Sequence, residues 1–160
     1  MKDKKILIIC VSTHHGNTLK VAKVIGESLN APVISPADVN PATLSAYDLI
    51  GFGSGIYNQQ HHASLFALIE KLPPQNHQKT FIFSTNTFGL KMLHKPLEEK
   101  LIEKGFDVIG EFSCPGFIDY SFIKYFFGGL SKGRPDENDL KNARDFAQKI
   151  IENLCLKNQD

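Results

Sequence analysis

Short apolar runs alternate along the chain with segments in which apolar residues recur every three or four positions. The clearest runs occupy residues 6–11, 48–53 and 79–84, and each is followed by a loop rich in hydroxyl, amide and glycine residues. A run that is apolar on both faces predicts a strand buried in a parallel sheet, whereas the three-to-four spacing predicts a helix. The pattern therefore predicts strands and helices in alternation.

Two further strands and four helices complete the predicted set. The strands lie at residues 32–35 and 106–112, and the helices at 19–29, at 63–72, from about 90 to 104, and after Asp136. Gly105 suits the position that follows the third helix, and Asp136 suits the position that caps the fourth. Five strands joined by helices in 160 residues favour a single α/β domain, residues 1–160, with a three-layer, doubly wound, five-stranded parallel sheet.

Three polar loops follow the three clearest strands, at residues 13–18, 54–58 and 85–89. In a doubly wound sheet the carboxyl ends of the strands lie along one edge, and ligands bind outside that edge. We therefore expect the three loops to converge on one ligand site.

The first of these loops, Thr13 to Thr18, has the position and composition of a phosphate-binding loop. It joins a buried strand to the start of a helix, where unsatisfied N–H groups and a partial positive charge favour an anion. Thr13, Asn17 and Thr18 add side-chain donors, and no Lys or Arg lies between Lys5 and Lys20. Hydrogen bonds to a charged acceptor contribute about 1.5–3 kcal/mol each, so several could hold a phosphate. The alternative is an ordinary capped turn between a strand and a helix.

Composition and charge exclude several classes of function. The hydrophobic fraction of 42% and the charged fraction of 22% are ordinary for a globular protein, and the net charge of +1 argues against a strongly basic nucleic-acid binder. No apolar run reaches the length of a membrane span. Three cysteines without a CxxC pair, and histidines in adjacent pairs, predict no metal site and favour a reducing, cytoplasmic location.

The first loop reads Thr-His-His-Gly-Asn-Thr, and it resembles the [ST]-x-[ST]-G-x-T phosphate loop of the short-chain flavodoxins, which are FMN-binding electron carriers. The resemblance extends over essentially the whole chain, including Tyr47-Asp48 and the Gly-Arg-Pro-Asp segment at 133–136. It implies a flavodoxin-like sheet with strand order 2-1-3-4-5, FMN phosphate in the first loop, and the flavin ring between the second and third. The cofactor-binding residues that it implies are Thr13, His14, His15, Gly16, Asn17, Thr18, Ser54, Gly55, Ile56, Tyr57, Asn58, Thr85, Asn86, Thr87, Phe88 and Gly89.

Three features depart from that family pattern. His15 stands where the motif has a hydroxyl residue, which would offer an imidazole N–H to the phosphate. The chain has no tryptophan to stack on the ring, so Tyr57 and Phe88 are the available aromatics. Many flavodoxins are strongly acidic and this chain is not, which weighs against docking to a basic partner.

The leading hypothesis is a flavodoxin-like carrier, a monomer or weak dimer, that shuttles electrons between redox protein partners. The alternative is an FMN-dependent NAD(P)H:quinone-type oxidoreductase, including a protoporphyrinogen-oxidase-like role, so whether the protein is an enzyme stays open. A third hypothesis is a binding module without redox chemistry. Six aromatics between Phe117 and Phe127 predict a docking surface for a partner, a wall for an aromatic substrate, or a connection packed beneath the last helix.

Overall fold

The computed structural model describes residues 3–13, 15–117, 129 and 131–156. Five parallel strands form the sheet: β1 (Ile6–Val11), β2 (Val33–Ile34), β3 (Leu49–Tyr57), β5 (Gln78–Asn86) and β6 (Phe106–Pro115). Their order is β2-β1-β3-β5-β6, which confirms the predicted order 2-1-3-4-5 for the parallel strands. The short strand β4 (Gln60–His61) was not predicted, and it pairs antiparallel with the end of β3.

Four helices cover the two faces of the sheet: α1 (Asn17–Leu29), α2 (Ala63–Lys71), α3 (Lys95–Glu103) and α4 (Glu137–Leu156). Residues of α1 and α4 share one hydrophobic core with alternate residues of β1, and residues of α2 and α3 share a second core on the opposite face. This arrangement confirms the predicted three-layer sandwich. Among the described residues, no helix is both long and apolar enough to cross a membrane.

The central strands are longer than the apolar runs predict. We predicted the second loop at residues 54–58, but β3 continues to Tyr57, because Ser54 and Gly55 stay in register with Ser84 and Thr85 of β5. Backbone hydrogen bonds between strands do not require apolar side chains, so the ladder runs on into the polar segment. The chain then reverses at Asn58 and Gln59, whose φ angles of 48° and 64° suit a two-residue hairpin turn.

Both predicted helix caps are confirmed. Gly105 lies two residues after Glu103, the last residue of α3, and has φ of 97°. Its N–H donates to the Ile102 carbonyl. The Asp136 carboxylate accepts a hydrogen bond of 2.9 Å from the Asp139 N–H at the start of α4. Each of these two hydrogen bonds gives a partner to a backbone group at a helix end that would otherwise have none.

Two glycines in β3 let large aromatic rings lie against the middle of the sheet. Gly51 is paired with Phe81 and Gly53 with Phe83, and both phenylalanines are fully buried. A Cβ atom at Gly53 would lie only 2.2 Å from the Phe83 ring. The rings therefore occupy space that only glycine leaves open, and this packing fixes the position of the strand that carries the second loop.

Candidate functional site

A cleft of about 230 Å³ opens at the carboxyl ends of β1, β3 and β5, where the predicted loops converge. Ten of the sixteen predicted cofactor-binding residues line it: His15, Asn17, Thr18, Gly55, Ile56, Tyr57, Thr85, Asn86, Thr87 and Phe88. Of the rest, Thr13, Gly16, Ser54, Asn58 and Gly89 are described but do not line the cleft, and His14 lies outside the described residues. The roles of all sixteen as cofactor contacts stay predictions.

The first loop presents an open helix end to this cleft. Gly16 has φ of 65°, in the left-handed region that favours glycine, and α1 begins at the next residue. No side chain caps α1, and its first turn carries no acidic residue. The unsatisfied N–H groups of this turn, together with the helix dipole, make a local environment that favours an anion.

Asn17 and Thr18 are both buried, and each is tied to another element. The Asn17 Nδ2 donates to the Phe117 carbonyl at 2.8 Å, and the Thr18 and Thr85 hydroxyls lie 2.8 Å apart. Each hydroxyl has one hydrogen, and only one of the two can lie between these oxygens. The pair therefore joins the first loop to β5 while leaving one hydroxyl hydrogen to donate elsewhere.

Two further contacts connect the first loop to its surroundings. The Thr13 hydroxyl is hydrogen-bonded to the Tyr57 hydroxyl, which links the first loop to the end of β3. The His15 ring lies against the Phe117 ring, with centroids 4.7 Å apart. His15 is itself exposed and lines the cleft, so an imidazole stands at the position where the motif has a hydroxyl residue.

In the second loop, the residues that line the cleft are separated from those that shape the backbone. Gly55, Ile56 and Tyr57 line the cleft at the end of β3. Ser54 is buried, donates to the Gly55 carbonyl at 2.6 Å and accepts from the His62 N–H at 2.9 Å, and so it holds the hairpin. Asn58 is exposed in the turn, away from the cleft lining.

The third loop is shaped by the side chain of Asn86. Its Oδ1 accepts from the backbone N–H groups of Phe88 and Leu90, at 3.3 and 2.9 Å. Its Nδ2 donates to the Leu90 carbonyl at 3.3 Å and to the Ser113 hydroxyl at 2.9 Å. Because its amide is committed to these bonds, Asn86 supports the loop, and we expect Thr87 and the cleft backbone to offer polar groups to a ligand.

Five residues that line the cleft were not predicted from the sequence: Ser12, Gln59, Leu90, Leu93 and Gly116. Phe117 also lines it, and the sequence had indicated Phe117 only as part of the aromatic segment. Ser12 was recognisable as the hydroxyl residue next to the motif. The Ser12 Oγ is also buried, with no hydrogen-bond partner among the described residues. Leu93 and Gly116 reach the cleft through the short helical turn at 91–94 and the end of β6, which no local pattern indicates.

The described lining of the cleft contains no Asp, Glu, Lys or Arg. Cys114 lies nearby at the end of β6, and burial raises the pKa of its thiol to about 12. That thiol is therefore protonated at neutral pH and is not a nucleophile.

Two buried histidines lie behind the third loop. Burial lowers the pKa of His61 to about 3 and that of His94 to about 4. The charge of Lys91 further lowers the pKa of His94, and a protonated His94 would further lower that of His61. The rings contact each other with centroids 5.1 Å apart. Both are therefore neutral imidazoles at physiological pH, placed as structural hydrogen-bonding groups rather than as charges.

The sheet order and the loop cleft define a flavodoxin-like α/β protein. The model of the flavodoxin domain family matches residues 8–126, so the chain belongs to that family. An uncharacterized protein of Methanocaldococcus jannaschii is 47% identical over 151 residues, which cover 93% of this chain and 99% of that protein.

Solved structures share the same architecture. A flavodoxin from the domain Archaea superposes with a TM-score of 0.69 at 20% identity, covering 94% of this chain and 98% of its own. The Fusobacterium nucleatum flavodoxin bound to flavin mononucleotide superposes with a TM-score of 0.65 at 14% identity, covering 94% of this chain and 98% of its own. At these identities the likeness establishes a common fold.

Proposed function

We propose that the protein binds FMN in this cleft and carries electrons between redox proteins. The observation that carries the proposal is the convergence of an uncapped helix end with two polar loops at one cleft. The open N-terminus of α1 suits the phosphate, and the loops at the ends of β3 and β5 supply neutral polar groups and two aromatic side chains. The solved Fusobacterium nucleatum flavodoxin, which has the same fold, is bound to FMN.

The residues present fit such a cofactor in several respects. Ser12 lies in the cleft wall, and its buried hydroxyl has no hydrogen-bond partner among the residues that the structure describes. An unpaired buried hydroxyl is costly. A phosphate or ribityl oxygen would give it one. Tyr57 and Phe88 lie on opposite loops, and Phe88 is 73% exposed, so a planar ring between them would bury apolar surface.

When bound, FMN supplies one- and two-electron transfer, and the protein supplies position and electrostatics. The α1 end and the Thr18–Thr85 hydroxyl pair would hold the phosphate. The Thr87 and Gly55 backbones would face the polar edge of the ring. Because the described part of the cleft lining holds no Lys or Arg, a negative charge that develops there gains little compensation from these residues. We therefore expect the step that adds the second electron to require a low potential.

Replacing Ser12 by alanine is expected to weaken FMN binding by about 10- to 100-fold. The loss corresponds to about 1.5–3 kcal/mol, the contribution of a hydrogen bond to a charged acceptor. Because the Ser12 hydroxyl has no partner among the described residues, its removal should not lower the free energy of unfolding. Quenching of flavin fluorescence during titration measures the affinity.

A matched control is the Ser28→Ala variant, since the Ser28 hydroxyl donates to the Val24 carbonyl on the exposed face of α1. It should bind FMN as the unmodified protein does. Riboflavin, which lacks the phosphate, locates the contact: an equal loss of affinity for riboflavin would place Ser12 at the ring or ribityl chain. Equal FMN affinities for the two variants would rule out a cofactor contact for Ser12.

A second candidate is an FMN-dependent NAD(P)H:quinone-type oxidoreductase, favoured by the apolar rim of the cleft. Phe88 and Leu90 are 73% and 42% exposed there, and a planar apolar substrate would bury them. The aromatic segment from Phe117 to Phe127 lies outside the described residues apart from Phe117 itself, which lines the cleft. Steady-state oxidation of NAD(P)H by quinones, catalysed by the FMN-loaded protein alone, would favour this candidate over a carrier.

We further propose the cytoplasm as the compartment of the carrier and a redox protein as its partner. Cys10 and Cys114 are buried free thiols, and a reducing compartment preserves that state. Among the described residues, no acidic side chain lines the cleft, which suits a partner that recognises shape and apolar surface more than charge.

A further inference from the structure

A line of buried polar side chains runs from the protein surface to the third loop. The His94 Nδ1 lies 3.1 Å from the Glu111 carboxylate, and its Nε2 lies 2.7 Å from the Ser84 hydroxyl. Ser84 lies 3.0 Å from the Ser113 hydroxyl, which in turn lies 2.9 Å from the Asn86 Nδ2. Three elements contribute: β5, β6 and the helical turn at 91–94.

The chemistry of the groups fixes the direction of every bond in this line. A carboxylate only accepts, so the His94 Nδ1 carries the hydrogen and its Nε2 must accept from the Ser84 hydroxyl. Having donated its only hydrogen, Ser84 accepts from the Ser113 hydroxyl, and Ser113 accepts from the Asn86 amide. The amide nitrogen of Asn86 is thereby turned toward β6, and its oxygen toward the loop.

This orientation of Asn86 is the one that the third loop requires. Only the amide oxygen can accept the N–H groups of Phe88 and Leu90, and a reversed amide would place two donors against those two donors. Phe88 and Leu90 both line the cleft, as does Asn86 itself. The orientation of one buried amide therefore determines the conformation of one wall of the site.

Three residues of this line are buried, namely Ser84, Asn86 and His94. His94 and Ser84 have no exposed surface, and the His61 ring covers His94 on one side. Burying polar groups is favourable only where every member is satisfied, and apolar residues would fill the same space at less cost. Each member of the line from Glu111 to Asn86 is hydrogen-bonded to its neighbours in the line. This is the arrangement expected of a network that orients the Asn86 amide.

We propose that His94 is a positioning residue: acting through Ser84, Ser113 and Asn86, it holds the loop at 87–90 in the conformation that forms the cofactor cleft. The inference rests on the proposed function only for the identity of the ligand that this wall contacts. Glu111 fixes the tautomer of His94, and His94 fixes the hydrogen-bond polarity of the two serines. The partly exposed Glu111 carboxylate is thus linked to the loop through four side chains, without contacting the loop itself.

The test is amide hydrogen exchange of Phe88 and Leu90, followed by NMR in the full-length protein without added FMN. His94→Leu should accelerate exchange at both amides at least tenfold, and should shift the signals of the Asn86 side-chain amide. His94→Gln, whose amide oxygen can accept from Ser84, should restore much of the protection. Thr80→Val is the control, because Thr80 is an equally buried hydroxyl on β5 that donates to the Ile50 carbonyl, outside this line.

Unchanged exchange at Phe88 and Leu90 in His94→Leu, or an equal acceleration in Thr80→Val, would overturn the proposal. If His94→Leu does not fold, Glu111→Leu and Glu111→Gln decide it: the first should accelerate exchange, and the second, which still offers an acceptor to the His94 Nδ1, should not. Identical behaviour of the two Glu111 variants would contradict the tautomer argument.

FMN titrations of the same variants separate this proposal from the proposed function. His94→Leu should weaken FMN binding at least tenfold while Thr80→Val leaves it unchanged. If the unmodified protein binds no FMN, the proposed function fails, while the exchange result still decides whether His94 positions the loop.

Discussion

Replacing Gly53 by alanine is expected to lower the free energy of unfolding by about 3 kcal/mol, toward the upper end of the usual cost of overpacking a core. The added Cβ would lie 2.2 Å from two atoms of the Phe83 ring, and that ring is fully buried. The ring also contacts Phe81 at a centroid distance of 6.0 Å, so it has little room to move aside. Denaturant unfolding with a two-state fit measures the change.

A double-mutant cycle shows whether the ring is the cause. Phe83→Leu removes most of the atoms that the new Cβ would meet, so the two substitutions together should cost about 1–2 kcal/mol less than the sum of their separate costs. Gly16→Ala is the matched control, because nothing lies within 4 Å of its Cβ position and only its φ of 65° opposes alanine, at about 1–2 kcal/mol. An additive cycle would show that the packing account of the central strand is incorrect.

The second large effect is a loss of stability in mildly acidic solution. Burial holds the pKa of His61 at about 3 and that of His94 at about 4 in the folded protein, below the value near 6.5 of an unfolded chain. Between these limits the unfolded state binds more protons, so stability rises with pH and is lost as pH falls. From about pH 6 down to 4.5, each histidine lowers the free energy of unfolding by up to about 1.4 kcal/mol per pH unit. The two together lower it by up to about 2.7 kcal/mol per pH unit.

Variants assign this slope to particular groups. His61→Phe, which cannot titrate, should reduce the slope of the unfolding free energy against pH by about half. Thr80→Val should leave the slope unchanged, since it replaces a buried side chain that does not titrate. A free energy of unfolding that does not change between pH 6 and 4.5 would mean that both histidines are protonated in the folded state. A protonated His94 could not accept the hydrogen bond from the Ser84 hydroxyl.

Much of the sheet could be predicted from the sequence because its strands are buried on both faces. The apolar runs at β1, β3 and β5 leave no other placement for their side chains, and the intervening helical spacing requires parallel connections. Where polar residues continue a strand, as at Ser54 and Gly55, the hydropathy pattern ends while the backbone ladder does not. The ends of the strands were therefore predicted incorrectly, and the β3–β4 hairpin was not predicted.

The convergence of the three loops could also be predicted, but their internal structure could not. The location of the loops at the carboxyl edge of the sheet follows from the topology alone. The role of Asn86 depends on a contact with Ser113, 27 residues away, and that of His94 on a contact with Glu111, 17 residues away. Both roles also depend on the direction of individual hydrogen bonds. No local pattern marks a buried histidine, and an asparagine after a strand is an ordinary loop residue in the sequence.

The most direct test of the central claim is a titration of the purified protein with FMN, monitored by absorbance and fluorescence and followed by stepwise anaerobic reduction. The account predicts one FMN per chain, weakened about 10- to 100-fold by Ser12→Ala, and a reduction that proceeds in separate one-electron steps. Bound flavin that is reduced in a single two-electron step would favour the oxidoreductase. A folded protein that binds no FMN at any accessible concentration would contradict the account.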